Sequence, residues 1–430
     1  MRRIASTIFL LLLTSTLIIG CSFVKAQETL PILQSPIYIL NDGSISPTTA
    51  PIQRNGNTYI LTGNVNNTID VQCSNVIING NGFTMTNPVN ATGLLTPVGY
   101  LPGIEVSGVS NVTVTNTAFA NCITGITIQN STSITINRNT IQQTLTGIAV
   151  LSSSNLNIDA NEILLSNNQG ATGMTFLPTN PQSFTPFQIN IEGNQITGSS
   201  SQAPTVAFLQ PSQYGIWGGF DSSTVILNTV GNLEGIAFYY TGSNNVIANN
   251  NFQHSYEGIF FTGDANLSVN NTFYENNFFQ NSANAVVPWI SGPPPGNNWD
   301  NGTVGNYWSD YNGTELDNSG LGSTPYIIQT VYMNYTLNRN ETVWEGQDNY
   351  PLISPVDITI GPVGVIDVRG SSTSTDSSTS TTATPSPTFS QAPPSSPSAI
   401  PELQLIPVLL FLIITAAALA VFARRKRLQV

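Results

Sequence analysis

The side chains in this sequence that could do chemistry are few, and the densest group of them is oxygen-rich. Asp310, Asn312, Glu315 and Asp317 fall within eight residues of a glycine-rich segment. A hard cation such as Ca2+ takes about six to eight oxygen ligands, and this spacing could wrap one. Ser319 and Ser323 stand where further acids would be wanted. A loop closed by its own hydrogen bonds is therefore the default reading, a structural Ca2+ the alternative, and no other cofactor is expected.

Cleaving a glycosidic bond with inversion needs two carboxylates roughly 6.5–9.5 Å apart. Asp159 lies 22 residues after Asn137 rather than after an acid, and Glu162 lies 22 after Thr140. Glu234 and Glu257, 23 residues apart, come nearest to a stacked pair, but each directly precedes a glycine and reads as a solvated corner. Proton abstraction beside a uronate would need an Arg or Lys base next to Ca2+-binding carboxylates. Arg138 is the one candidate, and no Asp pair accompanies it. No catalytic residue is assigned.

The elements that hold these residues show in a repeat. A Gly followed by an apolar residue recurs at Gly103, Gly125, Gly147, Gly173, Gly215, Gly235 and Gly258, at spacings of 22, 22, 26, 42, 20 and 23. Each is followed by a short alternating run, such as NVTVTNTAF from Asn111 or SITINRNTI from Ser133. Period-two alternation with β-branched residues argues strands, and the fixed interval argues stacked coils. The expected fold is all-β, a parallel β-helix with capped ends, each coil adding about 4.8 Å of height. Asn81, Asn139, Asn161, Asn194, Asn250 and Asn277 each precede a closing apolar residue by two positions. That shared phase suggests a ladder of side-chain amides running from coil to coil, a structural role.

Two insertions, Asn87 to Pro102 and Thr197 to Tyr214, fall at the same phase of the repeat. They leave one corner of the cylinder about four coils, or ~19 Å, apart. They could frame a ligand groove with Tyr100, Phe208, Tyr214 and Trp217, although corners also tolerate insertions for no purpose. Trp289, Trp299, Tyr307, Trp308 and Tyr311 cluster near the end of the repeats. Stacked rings there could bind sugars; a plug over the last coil is the favoured reading, because a solenoid needs a cap.

The chain ends place the protein. Arg2 and Arg3, an apolar run from Ile8 to Ile19 and the small-residue site Val24-Lys25-Ala26 form a secretory signal. Ile18-Ile19-Gly20-Cys21 also resembles a lipobox, which would make Cys21 a lipidated start. Leu405 to Ala423 holds nineteen residues without a charge, followed by Arg424, Arg425, Lys426 and Arg427. This reads as a transmembrane helix with its basic end inside. The expected organisation is 1–26 signal peptide, 30–74 N-terminal cap and first strands, 75–287 β-helix repeats, and 288–368 C-terminal cap. A Ser/Thr/Pro-rich stalk at 369–400 and the anchor at 401–430 complete it. Between Gln27 and Ile400 the only basic residues are Arg54, Arg138, Arg339 and Arg369, against 22 acids. Such a balance excludes nucleic acid as a partner, since nothing can neutralise phosphates.

Three stretches resemble the NosD-like, or carbohydrate-binding and sugar-hydrolysis, class of right-handed parallel β-helix proteins. They are IYILNDGSISPTTAPIQRNGNTYILTGNV from Ile37, the repeats from Asn75 to Asn284, and NNWDNGTVGNYWSDYNGTELDNSGLGSTPYII from Asn297 with QDNYPLISP later. The resemblance covers about residues 37 to 356 and implies an extracytoplasmic β-helix of archaeal cell-surface type. Founding members are linked to copper delivery, which calls for Cys, Met or His ligands. Here His254 is the one histidine, and Met85, Met174 and Met333 are scattered, so copper is not carried over. The expected function is non-catalytic binding of extracellular glycan or a partner protein at the cell surface. A polysaccharide-cleaving enzyme with an atypical site and a structural envelope component are the alternatives.

Overall fold

A computed structural model describes residues 35–86, 102–167, 170–177, 186–198, 213–261, 268–286, 296–334 and 339–365. The expected signal peptide, stalk and anchor lie outside these residues. Among the described residues no helix is long and apolar enough to cross a membrane. Contacts divide the chain into Met1–Ser372 and Thr373–Val430, and everything below belongs to the first unit.

The chain winds through three sheets in turn. Thr124–Gln129 lies in sheet 1, Thr132–Asn137 in sheet 2 and Thr140–Gln142 in sheet 3, and Thr146–Leu151 returns to sheet 1 one coil on. Sheet 1 has eleven strands, sheet 2 ten and sheet 3 nine, and a two-stranded hairpin of Tyr326–Asn334 and Arg339–Asp348 follows. From coil to coil the pairing is parallel, so like positions stack: Ile104 on Ile126 on Ile148 on Met174. The fold is a parallel β-helix.

Each bend between sheets places one residue in the left-handed region. Asn111, Ser133 and Asn155 do so between sheets 1 and 2, and Asn116, Arg138 and Ala160 between sheets 2 and 3, with φ of 52–57°. Asn tolerates this conformation because its short side chain bonds locally, which accounts for much of the Asn content. The repeat glycines answer a different demand. A Cβ on Gly125 would lie 2.7 Å from the carbonyl oxygen of Gly147 and 2.9 Å from Cγ2 of Ile141, so only a hydrogen fits.

The Gly-apolar spacing misplaces one coil. Ile236 pairs with Tyr214 and Glu257, whereas the inward partner of Ile216 and Ile259 is Phe238. Gly235 therefore stands outside the glycine row, and Glu234 and Glu257 are not stacked. The 42-residue interval is one coil, because Met174 pairs directly with Ile216.

Inside, rows of Ile and Val form a single core, each side chain contributing about 1.5–3 kcal/mol on burial. Toward the C-terminal end the core turns aromatic. Phe278 stacks on Trp308 at 4.4 Å, and Trp308 on Tyr326 at 4.3 Å. Trp299 and Trp308 are buried and close the open end, as a cap must; Trp289 lies outside the described residues.

An amide ladder runs beside the core. Nδ2 of Asn139 donates to Oδ1 of Asn161 at 3.0 Å, and the chain continues through Asn194, Asn228, Asn250 and Asn276 to Asn306. All seven are fully buried. Two of the residues expected in it stand elsewhere. Asn81 takes a left-handed bend at φ 50°, and the ladder begins with Thr117, whose backbone N–H donates to Oδ1 of Asn139. Asn277, also buried, lies one position past Asn276 on the side of sheet 3 away from the core, where Nδ2 donates to Oδ1 of Asn251 and to the Val356 carbonyl.

That last bond starts a strap. The backbone N–H of Val356 donates to Oδ1 of Asn277, and five coils back Val365 N–H donates to Oγ1 of Thr140. The chain thus recrosses the outside of sheet 3.

Candidate ligand-binding face

Side chains on a strand alternate, so every sheet of the coil also has an outward row. On sheet 1 this row runs from Tyr38, Asp70 and Glu105 through the small residues Thr127, Ala149 and Thr175 to Trp217, Tyr239 and Phe260, with Val286 last. Tyr239 and Phe260 stack at 5.1 Å with planes 8° apart. Trp217 lies 6.4 Å from Tyr239, tilted by 54°. Tyr214, in the neighbouring outward row, packs 5.9 Å from Trp217 and 5.6 Å from Tyr239. All four rings are partly exposed.

Glu257 belongs to the same row as Tyr214. Burial pushes its carboxyl up to about 7, and Oε2 has no hydrogen-bond partner among the described residues. Three tyrosine hydroxyls lie near enough to feel its charge. Those of Tyr214, Tyr239 and Tyr256 are pushed up, by burial first and then by the Glu257 charge, with Tyr239 also acting on Tyr214. The result is an apolar surface edged with hydroxyls, which suits a ligand that is apolar on its faces and hydroxylated on its rim; the Glu257 Oε2 is itself buried.

Of the expected groove residues, Tyr214 and Trp217 come together here, while Tyr100 and Phe208 lie outside the described residues. Tyr239, Phe260 and Glu257 escaped the sequence reading. The first two follow Trp217 at intervals of 22 and 21 residues, a signal hidden by assigning Gly235 to the glycine row.

Asp310, Asn312, Glu315 and Asp317 do not form a cation cage. Asp310 accepts hydrogen bonds from Nδ2 of Asn284 at 2.7 Å and from the Tyr326 hydroxyl at 3.0 Å. Glu315 accepts from the backbone N–H of Gly320, and Asp317 sits at φ 50° in an exposed turn. No three His, Cys, Asp or Glu among the described residues gather as metal ligands would. The Asp310 and Glu315 oxygens expected on a cation instead bond within the cap.

Two acid pairs do stack, contrary to the spacing argument, because insertions lengthen their intervals. Asp70 pairs with Glu105, and Asp159 with Glu192. Burial first, and then Glu192, raises Asp159, with Arg138 opposing; burial and Asp70 raise Glu105. Members of each pair stand side by side on one outward row and so do not face each other across a bound chain. On sheet 2 lies an open groove of about 470 Å3, lined by polar residues such as Thr135, Asn157 and Asn190 and by the apolar Ile134, Leu156 and Ile189. It has neither charged nor aromatic lining.

Three stacked sheets, a buried amide ladder and a capped aromatic end define a parallel β-helix repeat protein. The sequence pattern of the family described as periplasmic copper-binding protein (NosD) matches residues 66–313, and the chain belongs to that family. No curated protein sequence matches it significantly. Among solved structures, a mutant of the periplasmic alginate epimerase AlgG is 13% identical, covering 56% of this chain and 68% of that one, with a TM-score of 0.35. A GH136 lacto-N-biosidase from Eubacterium ramulus is 10% identical, over 57% of this chain and 54% of that one, with a TM-score of 0.34. A pectate lyase from a Paenibacillus species is 10% identical, over 66% and 82%, with a TM-score of 0.30. At such scores the likeness is loose, and no substrate or activity follows from it.

The copper in the family's description does not fit the residues present. His254 bonds Gln280 Oε1 at 2.8 Å through Nε2 and packs its ring edge-on to Phe279. Met85 and Met174 are fully buried, and Cys73 and Cys122 are buried as well. Soft ligands this dispersed offer no common centre.

Proposed function

We propose that the protein binds extracellular glycan through the outer face of sheet 1. The observation that carries this is the alignment of the partly exposed Trp217, Tyr239 and Phe260 on consecutive coils beside Tyr214. Sugar rings offer C–H faces to aromatic surfaces and hydroxyls to polar rims, and aromatic anchors supply most of the energy in such sites. Sheet 3 is crossed by the strap from Val356 to Val365, and the sheet 2 groove has no ring. The signal segment, stalk and C-terminal apolar run support display outside the cell on a single membrane anchor, with the β-helix facing outward. A partner protein and a purely structural envelope role are the competing readings.

Cleavage of the glycan would need a second carboxylate facing Glu257. Burial raises its pKa, with no acid among the described residues contributing, which favours binding over hydrolysis. The test is an array of oligosaccharides probed with the detergent-solubilised full chain. Retention of at least one glycan class is expected, and it should be lost in Trp217→Ala. Failure to retain any glycan would leave the structural role as the better account.

A further inference from the structure

Building on the glycan reading, we infer that the sheet 1 face holds a short glycan unit, a chain end or branch of up to about three sugars, roughly one per coil. It is not a track for a polymer running along the β-helix. A track would need the outward row to stay open in both directions, and the row closes. One coil before Trp217 it reaches Thr175, which points outward yet is 7% exposed, and Thr172 beside it is 5% exposed. In the row of Tyr214 the next residue, Ile236, is 2% exposed. At the other end sheet 1 stops one coil after Phe260, at Ala283–Val286. The open aromatic run from Trp217 to Phe260 therefore covers two coil rises, or ~10 Å. Thr127, Ala149 and Glu105 lie on the far side of the closed coil.

The ring orientations point the same way. Tyr239 and Phe260 each give one face to the other, and Tyr214 meets Tyr239 edge to face at 84°. Trp217 is tilted by 35° from Tyr214 and by 54° from Tyr239, at 5.9 and 6.4 Å. Among the described residues no ring lies flat on the indole, and it is partly exposed. The face of an aromatic ring carries its negative charge, which attracts the C–H side of a sugar. One uncovered face stacks one sugar, and Tyr214, Tyr239 and Phe260 flank it as contacts for its immediate neighbours. A longer chain gains nothing once it has passed these rings, because its further sugars leave the surface.

The experiment titrates the full chain in detergent with gluco-, manno- and xylo-oligosaccharides from disaccharide to hexasaccharide, and with the corresponding soluble polymers. Affinity per sugar chain should rise to the trisaccharide and then stay level, within about twofold, through the hexasaccharide and the polymer. A site that took any internal stretch would instead gain with every added register. Trp217→Ala should weaken binding at least about tenfold at every length. Glu105→Gln, on the same outward row four coils away, should leave trisaccharide and hexasaccharide binding unchanged. Affinity that climbs with each sugar through the hexasaccharide overturns the short-unit inference while leaving glycan binding standing. So does binding of polymer alone, or a Glu105→Gln variant that weakens the hexasaccharide but not the trisaccharide. If no sugar of any length binds, the glycan reading itself falls.

Discussion

Tyr239 and Phe260 lie face to face across one coil of the β-helix, ring centroids 5.1 Å apart and planes 8° from parallel. This stack is on the outside of the cylinder, where folding does not require it. The core beneath is already filled by Phe238 and Ile259 on the inward row. Rings maintained outside a complete core point to a use at the surface.

Replacing either ring should therefore separate stability from binding. Phe260→Ala is expected to lower stability by about 1 kcal/mol, the scale of one aromatic pair, and to weaken glycan retention more than fivefold. Thermal unfolding followed by circular dichroism, alongside titration, checks both. A loss of several kcal/mol with binding unchanged would make the stack a structural element.

The amide ladder gives an internal comparison. Asn228 accepts from Asn194 and donates to Asn250 and the Ile191 carbonyl, all buried. Asn228→Ala leaves several groups unsatisfied and should cost about 2–4 kcal/mol. Asn277→Ala removes bonds at another buried position, to Asn251 and in both directions to Val356, and, freeing fewer groups, should cost about 1–2 kcal/mol. Chemical denaturation of the two variants decides it, and equal losses would mean the ladder contributes nothing special.

Stability should rise on mild acidification. Burial first raises both Glu257, to about 7, and Asp348, to about 6, the latter despite hydrogen bonds from Asn306 and Trp308. Between their ordinary values near 4 and these raised ones, the folded chain holds more protons than the unfolded chain. Stability from these groups is thus full at low pH and is lost as pH rises through 6 and 7. The melting temperature is expected to be about 2–5 °C higher at pH 5 than at pH 8, and Glu257→Gln should flatten the upper part of that slope. A higher melting temperature at pH 8 would contradict the assignment.

Metals should be without effect on the fold. The oxygens of Asp310 and Glu315 are already engaged with Asn284, Tyr326 and Gly320, and His254 is engaged with Gln280. Scanning calorimetry with excess Ca2+, with Cu2+ and with EDTA should give melting temperatures within about 1 °C of one another, since a ligand bound only by the folded state would raise them. A rise of several degrees with either ion would reveal a site.

The coil could be read from the sequence because inward positions are Ile and Val at a fixed interval and nothing else explains that period. Registration was harder. Asn276 and Asn277 both precede a phenylalanine by two positions, and only packing shows that Phe278, not Phe279, points inward. Gly235 mimics the repeat glycine, while the position in register with Gly215 holds Ala237. That slip of two residues hid the alignment of Tyr239 with Trp217 and left Glu257 looking like a solvated corner. The acid pairs were hidden for a related reason: insertions stretch the interval between Asp159 and Glu192 to 33 residues, so their neighbourhood is visible only in three dimensions.

The most direct test of a glycan-binding face is titration of the full chain, wild type against Trp217→Ala, with the sugar best retained on an array. The expected result is saturable binding that weakens at least about tenfold in the variant, with an unchanged melting profile. Binding of undiminished affinity in Trp217→Ala, or none in the wild type, would contradict it.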